Sequence, residues 1–335
     1  MKISMIRVYY GLLLTLGVLI MPSSLANDIN NPPVKTTESI PAKNWLEHLT
    51  TSLKTLNFST SFVVVKNNQA EPYRWYHGVN SKGIELEILA LLNGPRRDTL
   101  RRGNIVSYFE SNSQPYSVNS SQISGPIPSV FSFDIGILEN SYDFVSVGKS
   151  RILGRPAQII RIVSKDANRY GYWLWLDQES GLLLKTALIT REGNLLEQIQ
   201  FTYLDIAPTL ATSLKHLAEA ELPKVVNLST QTEKTQFSWQ VNWLPLGFER
   251  VKADRHRINL TQQSVEFMQF SDGLVDVSVY VSPSKSSKRG VEFVKDGATV
   301  VLNQVVNSKE ISVVGKIPAN TAKAIADSVS FRGIR

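Results

Sequence analysis

The side chains in this sequence best suited to chemistry are aromatic and basic. Tyr170-Gly-Tyr-Trp-Leu-Trp-Leu-Asp177, read as a strand, puts Tyr172, Leu174 and Leu176 on one face and Trp173 and Trp175 on the other. Both faces are apolar. Since an antiparallel sheet commonly has one dry and one wet face, this implies a second covering layer or a concave cavity of lipid size, and periodicity does not separate the two. Wide aromatic surfaces can line an acyl-chain cavity, so Trp75, Tyr76, Phe109, Trp173 and Trp175 are candidates for lipid contact, with ordinary core as the competing role for each. Arg96, Arg97, Arg101 and Arg102 form two doublets near the turn Asn93-Gly94-Pro95. They suit bidentate contact with phosphates or carboxylates of a head group or partner, or they are solvated strand ends. Trp239, Trp243 and Phe248 are of the type that anchors interfaces, or they build a small core.

Recognisable catalytic and metal-binding patterns are missing. The four histidines, His48, His77, His216 and His256, are dispersed, with no metal-ligand spacing and no neighbouring nucleophile. The sequence has no cysteine, which excludes disulfides and thiolate chemistry. There is no Gly-x-Ser-x-Gly, phosphate-cradling glycine loop or dinucleotide fingerprint. The expectation is a binding protein with no catalytic residue, metal or cofactor. The net charge of +7 is spread over the chain and favours acidic partners only weakly. The cluster Lys285-Ser-Ser-Lys288-Arg289 reads as a solvated loop, and no basic and aromatic stripe points to nucleic acid.

The elements that would position these side chains begin after a leader. Met1 to Ala26 carries Lys2 and Arg7, an uncharged run from Val8 to Met21, and small residues before a cleavage point between Ala26 and Asn27. This is the pattern of a secretory signal peptide. No later stretch is long and apolar enough to span a bilayer, so the mature chain is expected to be soluble outside the cytoplasm. Residues 27–40 are polar and expected to be disordered. Trp45, Leu49, Leu53 and Leu56 then recur at helical spacing.

From Phe58 the period becomes two. Strands are expected over Phe58–Val65, Tyr73–Val79, Ile84–Leu92, Ile105–Phe109, Tyr142–Val147, Ile159–Val163, Tyr170–Leu176, Leu182–Thr190 and Leu195–Ile206. The irregular region Glu110–Ser129 between the two groups is expected to be mobile or functional. The fold class is α+β: a large antiparallel sheet over residues 41–206, a helix-containing connection over 207–235, and a smaller domain over 236–335. The helix in the connection is expected from Leu210, Leu214, Leu217 and Leu222. In the smaller domain, strands are expected over Phe237–Phe248, Val265–Phe270, Val275–Val281, Ala298–Val305 and Glu310–Val314. A closing helix spans Pro318–Val329, with Ala322, Ile325, Ala326 and Val329 on one stripe.

Several segments in order resemble the RseB/MucB family, periplasmic negative regulators of the sigma-E envelope stress response. They include Asn93-Gly-Pro-Arg-Arg97, Ser107-Tyr-Phe-Glu110, Tyr142-Asp-Phe-Val-Ser-Val-Gly148, Arg161 to Asp177, Gly193 to Gln198 and Trp243-Leu-Pro-Leu-Gly-Phe248. Ser271-Asp-Gly-Leu274 and Val313-Val-Gly-Lys-Ile-Pro318 extend the likeness toward the end of the chain. The resemblance implies a periplasmic protein whose large domain is an unclosed barrel like those of the lipoprotein carriers LolA and LolB, with covering helices. It also implies a smaller domain that helps grip the periplasmic part of an RseA/MucA-type anti-sigma factor. Such a protein shields the anti-sigma factor from regulated proteolysis until mislocalised lipoprotein or lipopolysaccharide relieves the block. A periplasmic lipid or lipoprotein carrier using the same cavity is the alternative, and the second domain is what a minimal carrier would not need.

Overall fold

The computed structural model describes residues 40–123, 125–126, 135–226, 237–257, 264–284 and 290–331. The leader with its cleavage point at Ala26 and Asn27, the polar segment up to Ser39 and the basic cluster Lys285–Arg289 lie outside the described residues.

Helix α1 (Ala42–Thr55) forms where the sequence changes from polar to an apolar stripe, and it buries Trp45, Leu46 and Leu49. Each such side chain contributes roughly 1.5–3 kcal/mol of burial. Six strands follow: β1 (Asn57–Lys66), β2 (Gln69–Val79), β3 (Glu85–Leu91), β4 (Arg97–Arg102), β5 (Ile105–Glu110) and β6 (Tyr116–Asn119). After the short helix α2 (Ile135–Leu138) come β7 (Tyr142–Ile152), β8 (Arg155–Ser164), β9 (Gly171–Asp177), β10 (Leu183–Ile189) and β11 (Leu195–Ala207). All eleven make one antiparallel sheet, with β1 pairing β11 at its centre and β6 and β7 at its edges, β6 bridged through Ser117 to Val225. Asn67 and Asn68 take positive φ at the β1–β2 turn (49° and 60°), the conformation a two-residue hairpin needs and asparagine tolerates.

The sheet is therefore the expected unclosed one. Its inner face carries Phe58, Phe62, Tyr73, Trp75, Ile160, Ile162, Tyr172, Leu174 and Phe201, packed with α1 in the main core. Its outer face is covered over β2–β4 by α3 (Thr212–Glu219), whose Leu214 and Leu217 pack on Leu86. This is the helix expected in the connecting segment.

The smaller part holds a six-stranded antiparallel sheet in the order β13-β14-β15-β18-β17-β16. Its strands are β13 (Glu249–Arg257), β14 (Ser264–Ser271), β15 (Asp276–Pro283), β16 (Val291–Asp296), β17 (Thr299–Val306) and β18 (Lys309–Gly315). Helix α4 (Ala319–Asp327) packs on β17 and β18 through Ala322, Ile325 and Ala326, as its stripe predicts, but it ends before Val329, the fourth residue of that stripe, which instead pairs as a strand with Val241. A two-stranded ribbon, β12 (Trp239–Val241) with β19 (Val329–Phe331), completes it.

Among the described residues five strands escape the expected pattern: β4, β6, β13, β16 and β19. β4 reads Arg-Asp-Thr-Leu-Arg-Arg and β13 reads Glu-Arg-Val-Lys-Ala-Asp-Arg-His-Arg, so neither shows apolar alternation. Both are held by ladder hydrogen bonds to neighbours. The strand expected over Phe237–Phe248 shrinks to Trp239–Val241, because Pro245 and Gly247 (φ 81°) turn the chain back against Ser141.

Candidate functional site

A cavity of about 930 Å³ lies between the inner face of the large sheet and the smaller domain. This falls within the roughly 300–1,000 Å³ typical of small-molecule sites. β2 contributes Trp75 and His77, β3 Glu87, β4 Arg101, β9 Tyr172, β10 Thr186 and Leu188, and β11 Glu197 and Ile199. The smaller domain closes one side with Leu274, Val275, Asp276 and Lys316.

One end of the cavity is polar and organised. The Arg101 guanidinium is buried between Glu85 and Glu87, donating from Nη2 and Nε respectively, and Nη1 donates to the Ser121 carbonyl at 3.0 Å. Burial works against its charge, but Glu87 and Glu85 outweigh that and push its pKa up. Trp75 Nε1 donates to Glu87 Oε1 at 3.2 Å. Beside them His77 is buried against Phe58, and its Nδ1 lies 2.8 Å from the Leu56 carbonyl, so the neutral ring donates there. Burial pulls the His77 pKa below its ordinary value, against the opposing pull of Glu87. Thr186 Oγ1, buried in the cavity wall, has no hydrogen-bond partner among the described residues. Leu188, Ile199 and Leu274 give the lining apolar surface, beside the Glu197–Lys316 pair and Asp276.

Of the five aromatics expected to line a lipid cavity, only Trp75 does so. Side chains alternate along a strand, and Trp173 and Trp175 are half-buried on the outer face, while their neighbours Tyr172, Leu174 and Leu176 turn inward. Tyr76 packs with the α3 cluster on the outer face. Phe109 pairs across from Asp98 in that same outward register, under the Arg96 guanidinium at 5.2 Å.

The arginine doublets do not form one anion site either. Arg97 and Arg101 share the inner register, whereas Arg96 and Arg102 face outward. Arg96 is paired to Asp98 at 2.6 Å, and Arg97 donates to Tyr73 Oη at 2.8 Å. Arg102 Nη1 donates to the carbonyls of Leu217, Ala218 and Ala220 at 3.3, 3.2 and 2.7 Å, closing the C-terminus of α3 where carbonyls lack helical partners.

Trp239 is 2% exposed, stacks on Phe237 and donates to Glu266 at 2.7 Å, so it builds the smaller domain's core. Phe248 is buried under the Arg169 guanidinium at 5.0 Å. Trp243 alone of the three is exposed, as are Leu246 and Val251.

Sequence reasoning missed Glu87, His77, Thr186, Glu197 and Lys316. One signal was present: Glu85 and Glu87 interrupt the apolar run of β3 on the same face as Leu89, which marks a carboxylate that burial forces to find a cation.

The two domains meet at two polar junctions. At one, Asp272 Oδ2 accepts from Arg169 Nε at 2.6 Å and from Tyr142 Oη at 2.7 Å, while Oδ1 accepts from the backbone N–H groups of Leu274 and Val275 at 2.9 and 2.8 Å. Arg169 also binds Asp166 at 2.7 Å and the Leu246 carbonyl. Burial, with Asp272 beside it, drives the Tyr142 pKa well up, so its hydroxyl stays a donor. At the other, Glu197 accepts from Lys316 at 2.6 Å and from the Ala298 N–H at 3.0 Å, and Lys66 pairs with Asp296 at 2.6 Å.

The architecture is that of a two-domain binding protein: a large unclosed sheet, a smaller α+β domain docked on it, and a cavity between. Among the described residues no group of three or more His, Cys, Asp or Glu side chains could hold a metal, and no helix is long and apolar enough to cross a membrane.

The chain belongs to the MucB/RseB family: the model of the MucB/RseB N-terminal domain matches residues 41–226 and that of the C-terminal domain residues 233–330. Sigma-E factor regulatory protein RseB of Salmonella typhimurium is 33% identical over 291 residues, covering 87% of this chain and 91% of that protein. Sigma factor AlgU regulatory protein MucB of Pseudomonas aeruginosa is 30% identical over 300 residues, covering 88% and 93%. Among solved structures, MucB in complex with MucA(peri) superposes with a TM-score of 0.70 at 28% identity, covering 88% of this chain and all of that one. These relatives are regulatory proteins.

Proposed function

We propose that this protein is a periplasmic negative regulator of a sigma-E-type stress response. It binds the periplasmic part of an RseA/MucA-type anti-sigma factor and shields it from regulated proteolysis, and a lipidic signal relieves the block. The observation that carries this reading is the likeness, spanning both domains, to RseB and MucB regulators and to a MucB solved with MucA(peri). Regulation of this kind makes and breaks no bond, so it acts by binding alone and needs no catalytic group.

The cavity supplies the lipid side of the proposal. An acyl chain of lipopolysaccharide or lipoprotein would lie on Trp75, Tyr172, Leu188 and Ile199, with Thr186 offering its unpartnered hydroxyl to a polar group. The wall formed by Leu274, Val275, Asp276 and Lys316 belongs to the smaller domain, so a ligand there changes what holds the domains together. A ligand shifts an equilibrium only through different affinity for its states, and a cavity built by two domains provides that difference.

The test is a titration of the purified protein against the periplasmic segment of the same organism's anti-sigma factor, with and without a lipopolysaccharide or lipopeptide fragment. Tight binding that the lipid weakens is the expected result. Lipid binding without affinity for the segment would overturn the regulator in favour of a carrier.

A further inference from the structure

The two tryptophans that face away from the cavity belong to an ordered surface of their own. On the outer face of the large sheet the Arg161 guanidinium lies 5.0 Å over the Trp173 ring, the Trp173 and Trp175 rings stack at 6.1 Å with 26° between planes, and Lys185 Nζ lies 4.8 Å over Trp175. Three adjacent strands thus build one ladder of cation, indole, indole, cation. Register continues it as an uncharged surface: Lys185 lies opposite Gln200, which lies opposite Val63, and Trp173 lies opposite Ala187, which lies opposite Gln198.

Neither Arg161 nor Lys185 has a carboxylate partner among the described residues. The carboxylates that flank the ladder by register are occupied, Asp143 by Lys165 at 3.7 Å and Asp177 by Arg155 at 2.8 Å. Among the described helices, the one on this face, α3, packs over β2–β4 and leaves the ladder uncovered. Two indoles on the wet face of a sheet, each under a cation with no counter-charge, are what a water–lipid interface selects. Indoles sit at the level of the head groups, and lysine and arginine reach the phosphates. A broad sheet face also presents its charges to a plane of head groups, where a pocket would present them to one molecule.

We infer that this outer face docks the protein on an anionic phospholipid bilayer, with Arg161 and Lys185 on head-group phosphates and Trp173 and Trp175 at the interface. The face is separate from the cavity, which opens on the opposite side of the same strands.

The test is co-sedimentation of the purified protein with vesicles of phosphatidylglycerol and phosphatidylcholine, and of phosphatidylcholine alone. Binding to the anionic vesicles only, weakening as salt rises, is expected. The double variant Arg161→Glu, Lys185→Glu should bind roughly tenfold less or weaker still. Arg161→Gln with Lys185→Gln, which removes the charges without reversing them, answers the same question should the reversal not fold. Brominated lipid should quench the protein's fluorescence, and Trp173→Phe with Trp175→Phe should remove that quenching. The proposal is overturned if the wild type ignores anionic vesicles, or if folded charge variants sediment as the wild type does. It is equally overturned if those variants lose the anti-sigma segment and keep the vesicles, which would make this a protein-binding face.

Discussion

The two junctions between the domains do the same job with opposite chemistry. At the first, Arg169 and Asp272 are both fully buried, and the carboxylate has four donors. At the second, Lys66 and Asp296 sit at 30% and 58% side-chain exposure, and Glu197 at 12% is intermediate. Charges removed from water must be matched donor for acceptor in one geometry, whereas exposed charges keep most of their hydration whichever way they point. The buried junction therefore fixes how the domains sit, and the exposed one trims it.

That contrast can be broken by mutation. Asp272→Ala takes one of the two carboxylates from the buried Arg169 guanidinium, leaving Asp166, and removes the acceptor of the Tyr142 hydroxyl and of the Leu274 and Val275 N–H groups, so the expected loss is about 3–5 kcal/mol by urea unfolding. A loss below about 1 kcal/mol would mean the junction opens easily to water. Gly247→Ala tests the same place from the other side: a Cβ there would lie 2.1 Å from Ser141 Oγ at a φ of 81°. It should therefore loosen the contact between Ser141 and the Leu246 carbonyl, measurable as faster amide exchange around Asp272. Glu197→Ala removes the acceptor of Lys316 and of the Ala298 N–H, and about 1–3 kcal/mol should follow.

His77 sharpens the comparison by pH. Its folded pKa is below the unfolded one, so as pH falls through the ordinary histidine range the unfolded chain takes up the proton first. Stability contributed by the neutral ring is present above that range and lost below it. The melting temperature should drop between pH 7.5 and 5.5 by more in the wild type than in His77→Gln, at about those working values. The smallest effect is expected at the exposed junction, where Lys66→Ala should cost about 0–1 kcal/mol and less in high salt.

Much of the large sheet was legible in the sequence. Period-two alternation marks β1, β2 and β8 within a few residues, since each has one buried face against α1 and the core, and β9 is marked by its unbroken aromatic and leucine run instead. The i, i+3, i+4 stripe likewise marks α4. β4 was illegible because its six residues include three arginines, whose partners Glu85, Glu87 and the end of α3 come from elsewhere in the chain.

By itself the sequence determined that Tyr170 to Asp177 is a strand with two apolar faces, and that the chain carries a large and a small sheet. Only the tertiary structure decided which face looks inward. A period of two is symmetric between its faces, and the choice falls to what packs on each: α1 and the smaller domain on the side of Tyr172, cations and solvent on the side of Trp173 and Trp175. The pairing of Arg169 with Asp272, 103 residues apart, was equally beyond local pattern, because a buried charge finds its partner through the fold.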